Sequence, residues 1–410
     1  MPSEHRRRAL ALICLSALAV ATNYTNHGPI LGFIRADFGI VAAQAGAIAT
    51  AFFLGAAATM LFGGIIADRI GTKPAVTAGF LIVVISNLGI GIAAPTFDAL
   101  LAWRVLGGLG GGFSFAAGSS YTRSIFDDRG RHFAQGLYGA AFLLGSSLTL
   151  IVIPWLAGVE GDWHRAYTIS ALFVAAIWLA WTLFAPRGST PSGQGGMGAA
   201  FMRAVRARNT IILALCHMCG FGMAMVIGTW VTLYLSETFG LGLALAGALG
   251  TTALVLGIVG RLSGGGILEA GVRPIRLIRA ALVAAAIGLA GMALATTVAA
   301  PAGLALAGVA IVATGLGVGL PYAAVFNGAA ASVPDSPASA QAIVGWGGLL
   351  IAIVGPPLVG GLLDLSGGFA AGFLVLAAVP ALVLVATTQL RPFEMEAPGG
   401  IEVEMDPASA

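Results

Sequence analysis

The chain has 410 residues, 58% hydrophobic and 9% charged, with a formal net charge of +3. An ordinary soluble domain carries about 25% charged residues, so this much apolar surface excludes a water-soluble globule and points to lipid as the solvent. The basic residues form no patch interleaved with aromatics, which excludes nucleic acid as a partner. The three cysteines (Cys14, Cys216, Cys219) lie in apolar stretches and supply no disulfide framework.

A bilayer core of about 30 Å takes about 20 apolar residues per helix. The sequence predicts twelve such spans, at 9–33, 42–66, 75–94, 99–121, 133–157, 165–185, 210–235, 243–268, 280–298, 303–331, 339–363 and 369–389. Segment 186–209 contains Gly188-Ser189-Thr190-Pro191-Ser192-Gly193 and ends in Arg203, Arg206 and Arg208. It reads as a polar cytoplasmic linker between an N-terminal six-helix bundle (1–185) and a C-terminal one (210–390).

Lys and Arg in short loops set orientation. With the N-terminus in the cytoplasm, sixteen of the twenty basic residues fall on that side, from Arg6-Arg7-Arg8 to Arg391, and only Arg35 and Arg165 fall on the other. The expectation is a multi-pass protein of a bacterial inner membrane with both termini cytoplasmic. Arg6-Arg7-Arg8 before an apolar run also looks like a signal-peptide start; the run is too long, polar in its middle and followed by eleven more, so it reads as a retained first span. The acidic stretch 391–410 reads as a disordered cytoplasmic tail.

Span 1 carries Thr22-Asn23-Tyr24-Thr25-Asn26-His27, the most polar stretch within any span. Asn23, Asn26 and His27 are spaced i, i+3, i+4 and share a face. Polar groups in lipid must look at protein or water, so these three are either substrate ligands or interhelical bonding groups. Every acidic residue sits in a loop or at a helix end, with Asp98, Glu237, Glu269 and Asp364 near boundaries. His27 and His217 are therefore the ordinary candidates for proton coupling.

The end of span 2 reads Gly63-Gly64-Ile65-Ile66-Ala67-Asp68, followed by Arg69, Gly71, Lys73 and Pro74. Span 8 closes on the same frame, Gly264-Gly265-Gly266-Ile267-Leu268-Glu269, followed by Gly271, Arg273 and Pro274. A helix end and its charged turn repeated about half a chain apart indicate two similar halves, and duplicated membrane halves put a binding site at their interface. Such an acid–base cluster can bridge to a neighbouring helix and hold one side shut, or can serve as a topogenic anchor. The second copy is degraded, with Glu269 for Asp and no basic residue directly after it.

Arg104 in span 4 and Arg261 in span 8 carry the charges placed inside spans. Intramembrane charge is costly and is a functional hypothesis by default. With no carboxylate in the spans, the pair leaves a positive field that an anionic cargo would neutralise, and the planar guanidinium suits carboxylates and oxyanions. The alternative for each is a helix–helix strut bonded to backbone carbonyls. Span 7 offers His217, Thr229, Trp230 and Tyr234. Span 10 offers Tyr322 after the break Gly319-Leu320-Pro321, then Phe326 and Asn327. Cys216-His217-Met218-Cys219 lacks a second ligand pair and reads as small hydrophobes, so no metal or cofactor is expected.

The turn Gly64-x-x-Ala67-Asp68-Arg69-x-Gly71-x-Lys73 resembles the loop 2–3 signature of the major facilitator superfamily. Arg104-Val105-Leu106-Gly107-Gly108-Leu109-Gly110 is similar to its helix-4 motif, and Gly161-Asp162-Trp163-His164-Arg165 looks like its usual start of helix 6. The resemblance covers residues 9–390. It implies an all-α membrane fold of twelve helices in two pseudo-symmetric six-helix bundles. It also implies a non-enzymatic, monomeric secondary transporter that moves a small molecule by alternating access. Gly64, Asp68, Arg69, Gly71 and Lys73 would gate, with Glu269 and Arg273 as their counterparts. Helices 1, 4, 7 and 10 would line the cavity, which makes Asn23, Asn26, His27, Arg104, Trp230, Tyr322 and Asn327 candidate substrate contacts beside Arg261.

Arg261-x-x-Gly264-Gly265-x-x-x-Glu269 also resembles helix 8 of nitrate/nitrite porters. Those use a matching Arg on helix 2, where this chain has Met60; the expectation broadens to small anions, organic or inorganic. An efflux antiporter for uncharged or cationic drug-like compounds is the alternative cargo reading. A non-transporting sensor or assembly protein on the same scaffold is the alternative class.

Overall fold

The computed structural model describes residues 3–126, 128–158, 160–188 and 197–393. Twelve helices in it are long and apolar enough to cross a membrane. These are span 1 (Glu4–Phe38), span 2 (Ala42–Gly63), span 3 (Thr72–Ile92), span 4 (Phe97–Thr122), span 5 (Ala134–Ala157), span 6 (Trp163–Phe184), span 7 (Arg208–Phe239), span 8 (Leu243–Glu269), span 9 (Pro274–Ala295), span 10 (Ala302–Ser332), span 11 (Pro337–Ser366) and span 12 (Ala370–Gln389). No strand occurs among the described residues.

The expected boundaries shift where local chemistry dictates. Span 1 does not stop at 33: it passes through a tight turn at Gly28–Ile30 and continues as helix to Phe38, ending on Gly39 in the left-handed conformation. The helix of span 2 runs on to Ile70, so the Gly-Gly-x-x-x-Asp frame is helical and the reversal falls on Gly71, at φ 94°. The 186–209 stretch is not wholly irregular, because Met197–Arg206 forms a helix. Ala204 of that helix is buried, and Phe201 and Val205 pack on the C-terminal bundle, while Arg203 and Arg206 face out. Residues 189–196 and the tail from 394 lie outside the described residues.

Spans 1–6 and 7–12 form two bundles that meet chiefly through span 2 against span 11, span 5 against span 8, and span 1 against span 7. These meetings gather at the face where spans 1 and 2, and 11 and 12, are joined, called here the far face. The chain termini and the linker lie at the near face. Glycines permit the approach. A Cβ on Gly28 would stand 2.2 Å from the Gly228 carbonyl oxygen, and one on Gly360 2.2 Å from that of Ala42, so only bare backbone fits at either crossing.

Polar contacts then pin the far face. The Asp364 carboxylate at the end of span 11 accepts from the Ala42 and Ala43 amides, each at 2.8 Å. Gln44 Oε1 accepts from the Val41 amide at 3.1 Å. The exposed amides that start a helix carry a partial positive charge and need acceptors; here one half of the protein supplies a carboxylate to the other. Arg35 pairs with Glu237 at 3.6 Å across the same seam, and Thr50 Oγ1 donates to Ile353 O at 2.6 Å. Toward the near face, Arg208–His217 of span 7 and Tyr322–Ser332 of span 10 pack against elements of their own half. Contacts between the halves are dense on the far face and thin toward the near one, where Trp346 Nε1 of span 11 still donates to Ala57 O of span 2 at 3.3 Å.

Candidate functional site

Two cationic clusters sit between these faces, one in each half, and they are built differently.

In the N-terminal half, Arg104 is only 1% exposed, yet its guanidinium is almost fully used. Nε donates to Ile48 O at 3.3 Å. Nη1 donates to Asn23 O at 2.9 Å and to Asn26 Oδ1 at 3.1 Å, and Nη2 meets His27 Nδ1 at 3.2 Å. The guanidinium carbon lies 4.6 Å from the centroid of the Phe52 ring. A guanidinium can only donate, so Nδ1 of His27 accepts and the ring proton sits on Nε2. Nε2–H then donates to Thr229 Oγ1 at 3.2 Å, and Thr229 donates to Met225 O at 3.0 Å. The result is one chain of hydrogen bonds from span 4 through span 1 into span 7, crossing from one half to the other. Asn23 spends its amide on the Ala19 and Val20 carbonyls of its own helix, and Asn26 Nδ2 is buried without a partner.

The C-terminal cluster is the open one. Arg261 is partly exposed and lies over the Tyr322 ring, 4.3 Å from its centroid. Its guanidinium makes no hydrogen bond or ion pair among the described residues, and its Nε is buried without an acceptor. Tyr322 packs on Phe326 at 4.7 Å between centroids. Phe326 meets His217 edge-on at 4.8 Å, and His217 stacks on Phe221 at 6.0 Å.

Helix breaks converge on this cluster. Span 7 carries a π-turn at Met218–Gly222 directly after His217. Span 10 is interrupted at Leu320-Pro321, where proline has no amide to continue the ladder, and restarts at Tyr322. Span 11 is interrupted at Gly348, where a Cβ would lie 2.8 Å from the His217 ring. π-Turns and discontinuous membrane helices are recurrent marks of binding sites.

The other expected residues are spread more widely. Trp230 is fully buried toward the far face, its indole N–H donating to Pro356 O at 3.1 Å, with Phe369 beside it. Asn327 is exposed on the second segment of span 10. Lys73 donates to Ala185 O at 2.6 Å and so ties loop 2–3 to the end of span 6 within its own half, where Tyr121 also holds Pro186 O. Arg69, Glu269 and Arg273 are exposed, and Gly271 repeats the positive φ of Gly71, at 89°. Gly64 and the Asp68 side chain lie outside the described residues.

Sequence reasoning missed one participant, Phe221, and the partners of two others, Thr229 and Asp364. Phe221 is at helical spacing from His217 but reads as ordinary apolar filling. Thr229 was visible, but its bond to His27 links positions 202 apart. Asp364 was noticed as a boundary acid; its placement after Gly360-Gly361 and before the left-handed Gly367 was the available signal of a helix end facing a partner.

Comparison with known proteins follows the same lines. The family model of the Major Facilitator Superfamily matches residues 13–338. Among curated proteins, a probable nitrate/nitrite antiporter, NarK1 of Thermus thermophilus, is 24% identical over 249 residues, 58% of this chain and 56% of that one. A probable sulfoacetate transporter, SauU of Cupriavidus necator, is 28% identical over 180 residues, 43% of this chain and 40% of that protein. The multidrug resistance protein MdtL of Escherichia coli is 34% identical over 128 residues, 31% of this chain and 30% of its own. The matches thus span about half or less of those relatives' lengths. Among solved structures, a bacterial homologue of the human lysosomal transporter Spinster superposes with a TM-score of 0.74 at 18% identity, covering 95% of this chain and 96% of that one. The nucleoside transporter NupG gives 0.75 at 14% identity, covering 94% and 99%.

Proposed function

The chain belongs to the Major Facilitator Superfamily, and on that premise we propose that it is a secondary transporter which carries a small anion by alternating access. It works as a monomer in an inner membrane, with both termini in the cytoplasm, so that the near face is the cytoplasmic one. The observation that carries the cargo class is Arg261, a cation within the spans with no carboxylate partner among the described residues and an unanswered Nε. Leaving such a charge unpaired in a low-dielectric site is costly; an incoming anion is the natural counter-charge.

Arg104 adds to the positive field, but its donors are already taken, which suits a role in holding spans 1, 2 and 4 together beside the cargo path. The gate in this reading uses Asp68, Arg69 and Lys73 on the near face, opposed by Glu269 and Arg273, and the far-face contacts of Asp364 and Arg35 alternate with it. Proton coupling runs through His27, whose Nδ1 can take a proton only by giving up Arg104 and whose Nε2 contacts the other half; uptake insensitive to a protonophore would remove that element.

Export of cationic drug-like compounds, the reading that MdtL brings, lacks an acid to receive the cation: among the described residues the carboxylates that bond from one span to another, Asp37, Glu237 and Asp364, do so at the far-face helix ends. The deciding experiment is a thermal-shift screen of the purified protein against small anions and cations, repeated with Arg261→Gln. Anions should stabilise the native protein and lose that effect in the variant. Stabilisation by cations alone, or undiminished anion binding by Arg261→Gln, would reject the assignment.

A further inference from the structure

We infer that the cargo is a monovalent carboxylate with a planar aromatic body, seated on the C-terminal half against Arg261, Tyr322, Phe326 and His217. The inference rests on the anion reading above and narrows it.

Charge comes first. Arg104 spends its Nε–H, both Nη1 hydrogens and one Nη2 hydrogen on Ile48, Asn23, Asn26 and His27. Of these two arginines only Arg261 offers an unspent fork among the described residues, and a fork binds one carboxylate in a bidentate way. A second negative group on the cargo would meet no second free cation in this cluster among the described residues, and placing it there would carry the full cost of an unpaired charge out of water.

Shape follows from the surroundings. Tyr322 and Phe326 are one helical turn apart on span 10 and so present their rings on the same side. Their centroids are 4.7 Å apart, the Phe326–His217 pair follows at 4.8 Å, and Phe221 lies beyond. Tyr322, Phe326 and Phe221 are all only partly buried, while the large aromatics Trp230 and Tyr234 of the same half are fully covered. A continuous row of incompletely covered rings beside an unpaired guanidinium is poor company for a strongly hydrated inorganic oxyanion. It fits a ligand whose charged end takes the Arg261 edge and whose flat body lies along the rings, in the offset or edge-on geometries that aromatic pairs favour.

His217 completes the seat. Its ring nitrogens have no hydrogen-bond partner among the described residues, and the bare Gly348 backbone of span 11 leaves room for the ring. A neutral imidazole can give one hydrogen bond and accept one, which matches a polar ring substituent on the cargo.

The test uses the full-length protein in detergent or nanodiscs. Binding of benzoate, cyclohexanecarboxylate, acetate, nitrate and phthalate is titrated by thermal shift and confirmed by calorimetry. Benzoate should bind roughly tenfold or more tighter than acetate and nitrate, the scale expected when one or two ring contacts are added. Cyclohexanecarboxylate, apolar but without a π face, should fall between, and phthalate, with its second charge, should bind more weakly than benzoate. Tyr322→Leu should bring benzoate down to the acetate level, and Tyr322→Phe should keep the preference; the second variant separates lost stacking from lost folding. If acetate or nitrate binds as tightly as benzoate while still depending on Arg261, the aromatic cargo is wrong and the anion transporter stands. If phthalate binds best, the monovalent assignment is wrong. If none of the anions binds, both readings fall together.

Discussion

At the scale of the residue, two arginines that look alike in sequence turn out to have opposite surroundings. Removing Arg104 takes the donor from Asn23 O, Asn26 Oδ1 and His27 Nδ1 in a buried site, while Ile48 O keeps the amide of its own helix. Each such orphan costs about 1–3 kcal/mol, so the sum exceeds the roughly 0.5–2 kcal/mol that a cation–π contact such as Arg261 on Tyr322 provides. Arg104→Gln is expected to lower the melting temperature by several degrees, and Arg261→Gln by about one or two at most, read from thermal unfolding without ligand. Equal losses would show that Arg261 is a strut as well.

Neither environment was legible in the chain. Spacing marked both residues as intramembrane charges, but their partners come from spans 1 and 2 in one case and span 10 in the other, 56 to 81 positions away for Arg104. The two basic residues that broke the loop-charge bias now have occupations of their own. Arg165 donates to the Leu156 and Ala157 carbonyls at the end of span 5, and Arg35 meets Glu237.

At the scale of the element, the twelve spans were readable because lipid enforces both length and composition, and the break in span 10 was readable from Gly319-Leu320-Pro321. The π-turn of span 7 and the interruption of span 11 at Gly348 were not, since each answers to packing around His217 and leaves no residue-type signature of its own. The start of span 2 shows what such packing can do. Its first amides are capped from another element in the opposite half, where an ordinary helix would use its own side chain. Asp364→Ala should loosen the far face. With Thr50→Cys as a reporter, placed in a background free of the native cysteines, a membrane-impermeant thiol reagent applied from the far side should label the variant several-fold faster than its parent. The position suits the purpose because Thr50 lies in the seam against Ile353. Unchanged labelling would mean that the remaining seam holds the face closed without Asp364.

At the scale of the whole molecule, the repeated Gly-Gly-x-x-x-acid frame gave away two halves, and the loop charges gave an orientation. A fluorescent protein fused after residue 393 should fold and glow, and an alkaline phosphatase fused there should stay inactive; the reverse would invert the assignment of the near face to the cytoplasm. Which face is shut was out of reach, because it depends on pairs such as Ala42 and Asp364, 322 positions apart. That single pairing has a bearing on how the protein moves. In the alternating-access cycle proposed above the halves swing away from each other, and the amides at the head of span 2 and the carboxylate that served them must both be taken over by solvent. Each turn of that cycle would draw hydration into the far-face cleft and expel it again, so water itself would take part in the movement.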